Sequence, residues 1–129
     1  MLGELEAEGR IVVGDLEAGV GTLLRLQPGQ ADLVLVVAQP TAKAIEVARR
    51  AVEIASSRAR VILIANRVRD DSDVAMIREG AGWDGEVVVV PDDEGVARAD
   101  EDGRAPVDAA PDGPALLALE ELATRVRSG

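Results

Sequence analysis

Four short apolar runs punctuate the chain: "RIVVG" at 10–14, "LVLVVA" at 33–38, "VILIAN" at 61–66 and "EVVVV" at 86–90. Each is continuous rather than alternating, which is how strands buried on both faces of a parallel sheet read. Between the runs the period changes to that of a helix. Residues 42–57 set Ala44, Ile45, Ala48, Ala51, Val52 and Ala55 on one stripe and Lys43, Glu46, Arg50 and Glu53 on the other, with Pro40 and Thr41 at the entrance. A shorter helix is predicted after Ser72, running through Val74, Met76 and Ile77 and stopping at Gly80. The last starts near Gly113-Pro114, with proline at its first position, and buries Leu116, Leu119, Leu122, Ala123 and Val126. Residues 100–113, "DEDGRAPVDAAPDG", read as a polar surface connection.

Strand and helix in alternation predict an α/β fold, an open and mainly parallel sheet of about four strands flanked by helices. The whole chain, 1–129, is short enough to be one domain. In such sheets ligands bind beyond the carboxyl ends of the strands. That rule singles out residues 14–19, 39–41, 66–67 and 91–93.

Composition narrows the chemistry. Aromatic residues are 1% of the chain, so the core is built from Val, Leu, Ile and Ala around the single tryptophan, Trp83. A net charge of −10 repels a phosphate backbone, which argues against nucleic-acid partners. With no cysteine and no histidine, disulfides, thiol nucleophiles, imidazole bases and soft-metal sites are excluded, and a hard oxygen-bound ion such as magnesium is what remains. No apolar run approaches the roughly 20 residues that span a bilayer. Membrane insertion is therefore not expected, and the cytoplasm is the expected compartment.

The stretch "GDLEAGVGT" at 14–22 has the look of a phosphate loop, since Gly14 and Gly19 stand five apart. Val20 occupies the lysine position, however, and Asp15 and Glu17 would repel phosphates inside the loop. A different reading makes Asp15 the carboxylate that holds a magnesium water at a strand end, with a flexible glycine turn after it. Helix capping by Asp15 or Glu17 explains the same residues on local grounds. Asn66 carries both a donor and an acceptor suited to a purine edge, and equally suits the close of a strand into a turn. Asp70, Asp71 and Asp73 lack the glycine and the final glutamate of a calcium loop, so capping and solvation account for them. Nothing fixes two of the 24 acids at a distance suited to glycoside chemistry.

Taken in order, "VVGDLEAG", "ADLVLVVAQPTAKAIEVARRAVEIA", "VILIANRVRDD" and "VVVVPDDEGVARADEDGRAPVD" resemble the ParA/MinD superfamily of deviant P-loop ATPases, most closely the CooC-type ATPases of nickel insertion. The likeness runs from about residue 10 to the C-terminus. It implies a partial P-loop NTPase fold, with a helix after the valine-proline turn. It also implies roles: Asp15 as the magnesium-side acid, Glu17 and Gly19 as the switch turn, Asn66 as the adenine reader, and Pro91-Asp92 as the wall beside the base. In that family a first strand and a glycine loop with two lysines precede the Asp motif, and paired cysteines hold nickel. Here Met1 opens directly upstream of the motif, the only lysine is Lys43, and there is no cysteine.

Micromolar nucleotide binding needs about 8 kcal/mol. Each charge-assisted hydrogen bond contributes about 1.5 to 3 kcal/mol, so without the lysine and its loop most of that total is gone. The expectation is therefore a non-catalytic domain that works through protein contacts, as a homo-oligomer or an accessory subunit of an ATPase system. Mg-ATP enters only if a complementing chain supplies the loop, which would make this half of a split ATPase. A stand-alone domain binding a small ligand at the sheet's carboxyl edge is the third possibility. In the family the strand that bears the phosphate loop lies between the Asp15 strand and "LVLVVA". Its absence leaves these two to pair directly, or leaves apolar edges for a partner.

Overall fold

The computed structural model describes residues 11–16 and 20–128. The chain is an α/β structure with an open sheet of three parallel strands in the order β1-β2-β3, flanked by helices. A single-turn helix α1 (Val20–Leu23) precedes β1 (Leu33–Ala38), α2 (Ala42–Ala55), β2 (Arg60–Val68), α3 (Asp71–Ala81) and β3 (Val87–Pro91). Then come α4 (Glu94–Glu101), the short α5 (Pro106–Ala109) and α6 (Pro114–Ser128).

Successive side chains of a strand point to opposite faces, and the two faces bury separate clusters. On one face Val36 and Ala38 of β1 join Val61, Leu63 and Ala65 of β2 under Ile45, Ala48, Val52 and Ala55 of α2 and Ile77 of α3. Leu23 of α1 belongs to this cluster, and Trp83 packs against it. On the other face Ile62, Ile64, Val88 and Val90 are covered by Ala115, Leu116 and Leu122 of α6. β2 is thus buried on both sides, with Ile62, Leu63 and Ala65 fully enclosed.

The helix boundaries follow local chemistry. Thr41 Oγ1 accepts the Ala44 N–H at 3.3 Å and caps α2. α3 is capped two residues earlier than expected, by Asp70, whose carboxylate accepts the Asp73 N–H at 3.1 Å. Gly80 does not stop α3, because the left-handed cap is Gly82 at φ 62°. Gly80 lies inside the helix, where a Cβ would collide with Ile45 of α2. Its role is close helix packing. The stretch 100–113 is less irregular than its composition suggests, since it holds the end of α4 and all of α5.

The first apolar run is the main departure. Residues 11–16 are irregular, with Ile11 62% and Val13 86% exposed, so the described residues give three strands rather than four. Ordering a residue costs about 1 to 2 kcal/mol. Ile11-Val12-Val13 followed by Gly14 offers too few ladder bonds to offset that at a sheet edge.

Candidate functional site

The carboxyl ends of β2 and β3 lie side by side, with Asn66 in register with Val90 and Val68 with Pro91. The mismatch is a bulge at Arg67, which adopts φ 58°, a left-handed backbone that arginine rarely takes. β2 continues to Val68, so Asn66 does not close the strand into a turn. Past the bulge the Asp92 N–H donates to the Val68 carbonyl at 2.9 Å, and the Arg67 Nε donates to the Asp92 carboxylate at 3.4 Å.

These residues open onto a cavity of about 400 Å³. Asn66, Pro91 and Asp92, three of the residues to which the sequence gives a nucleotide role, line it together. α4 and the α4–α5 connection form the far wall with Asp100, Glu101 and Arg104, and Asp93 sits at the base. Asp93 is structural. Its carboxylate accepts the Gly95 N–H at 2.8 Å, capping α4, and the Ala115 N–H at 3.3 Å in the first turn of α6.

Asp15 is elsewhere. It is exposed on the irregular segment 11–16 and does not line this cavity. Glu17 and Gly19 lie outside the described residues, and the expected switch turn lies there with them. Among the described residues no group of three or more Asp, Glu, His or Cys side chains is gathered to hold a metal ion.

The cavity suits a polar, base-sized group better than a triphosphate. Its carboxylates, Asp92, Asp93, Asp100 and Glu101, outnumber its cations, Arg67 and Arg104, and Arg67 is already engaged by Asp92. Phosphates would meet a repulsive field there. The chain's one lysine, Lys43, stands in the first turn of α2 and does not line this cavity. The residues that line this cavity therefore do not fit a nucleotide's phosphate tail.

A second feature lies along β1. With the strand order β1-β2-β3, nothing among the described residues pairs with the outer edge of β1. Leu35 and Val37 point to the sheet face that α6 covers over β2 and β3, yet they are 40% and 60% exposed. A shallow groove of about 160 Å³ follows this edge, lined by Leu16, Leu23 and Val34 through Val37 together with Val47, Ala48 and Ala51. Sequence reading singled out "LVLVVA" as a buried strand. Leu33 still packs against the cluster under α6, and the exposure of Leu35 and Val37 depends on α6 lying over β3, which no local pattern reveals.

The acidic cluster is accounted for by the fold. Asp73, 4% exposed, accepts from the Arg69 N–H at 2.9 Å and from the Arg69 guanidinium at 3.0 and 3.2 Å. Those bonds hold its carboxyl below the usual aspartate range. Asp70 is lowered too, chiefly by the Ser72 hydroxyl at 2.6 Å and then by the Asp73 N–H it caps. Both are capping and bracing residues.

No helix among the described residues is long and apolar enough to cross a membrane. No protein-family model and no curated protein sequence matches the chain.

Proposed function

We propose that this chain is a non-catalytic, phosphate-loop-less relative of the MinD/CooC ATPases that works in the cytoplasm through protein contacts. One observation carries the reading: a parallel sheet in which nothing among the described residues pairs with the outer edge of β1, and in which two apolar side chains of β1, Leu35 and Val37, are exposed. Such an edge presents main-chain donors and acceptors beside apolar surface, which is how strand addition and subunit contacts are made. The acidic excess in the cavity and the position of Lys43 support the non-catalytic half of the proposal.

Calorimetric titration of the purified chain with ATP and magnesium is the test. No binding in the micromolar range is the expected result, and a micromolar Kd would refute the reading.

A second reading has its own support. Asn66, Pro91 and Asp92 share one cavity at the strand ends, so a base could sit there if a different chain brought a lysine-bearing glycine loop for the phosphates. In that split ATPase Asp15 would approach the magnesium. Hydrolysis restored by such a chain and abolished by Asp15→Ala would favour it over the non-catalytic one.

A further inference from the structure

We draw no further inference here: the strongest candidate, the apolar groove along the outer edge of β1 lined by Leu16, Leu35, Val37 and Val47, carries nothing beyond the contact reading above, because nothing in the structure shows what covers it.

Discussion

Asp93 and Ala115 lie 22 residues apart in the chain, and the carboxylate of the first accepts the N–H of the second at 3.3 Å. The same carboxylate caps α4 through the Gly95 N–H, so one side chain satisfies donors at two helix starts. Gly113 makes this possible, because a Cβ at that position would strike the Asp93 carboxylate. Gly113→Ala should therefore cost about 1 to 3 kcal/mol, and Asp93→Ala about 1 kcal/mol or somewhat more. Chemical denaturation of the two single variants and the double variant checks this. Losses in the double that simply add would contradict a shared cause.

Gly80 makes an opposite-sign prediction. Replacing an exposed glycine inside a helix by alanine normally stabilises by about 1 kcal/mol. Here the new methyl would meet Ile45, so Gly80→Ala should destabilise instead. Pairing it with Ile45→Ala should cost less than the sum of the two single losses, as read by thermal unfolding.

Ile62 and Leu35 test how far α6 covers the sheet. Both face the same side, and Ile62 is fully buried while Leu35 is 40% exposed. Ile62→Ala should lose about 2 to 5 kcal/mol. Leu35→Ala should lose well under half of that when measured on dilute protein. Equal losses would mean that β1 is covered in solution as fully as β2.

Acid should unfold the domain through a few carboxylates. Asp73 is lowered from the ordinary 3.8 by its bonds to Arg69, and Glu86 from 4.5 by Arg60 first and then by Arg125. A depressed carboxylate stabilises the fold fully above its unfolded value, because the unfolded chain takes up protons first as pH falls. Tm should be flat near neutrality in respect of these groups and fall once pH drops through about 4.5 and then 3.8. Asp73→Asn should flatten the lower part of that decline. A Tm that rises on acidification below pH 4.5 would contradict the assignment.

How much was legible in the chain depends on the range of the interaction. The runs at 33–38, 61–66 and 86–90 became β1, β2 and β3, and the stripe from Ala44 to Ala55 became α2, because strand and helix periods are set by near neighbours. Residues 11–14 of the first run carry the same local signal and are irregular, since pairing depends on an edge far along the sequence. Gly80 and Gly82 are both plausible stops, and only Ile45 across the helix interface separates their roles.

By itself, then, the sequence determined the layers of this protein: a parallel sheet with helices, a core without histidine, cysteine or aromatic bulk, and no cation on its glycine bend. Tertiary structure alone decided which surfaces stay open. It gathered Asn66, Pro91 and Asp92 around one cavity, turned Arg67 into it through a bulge, and laid α6 over β2 and β3 while leaving Leu35 and Val37 of β1 exposed. Periodicity is encoded within a few residues. Register, coverage and edges arise only when segments tens of residues apart meet.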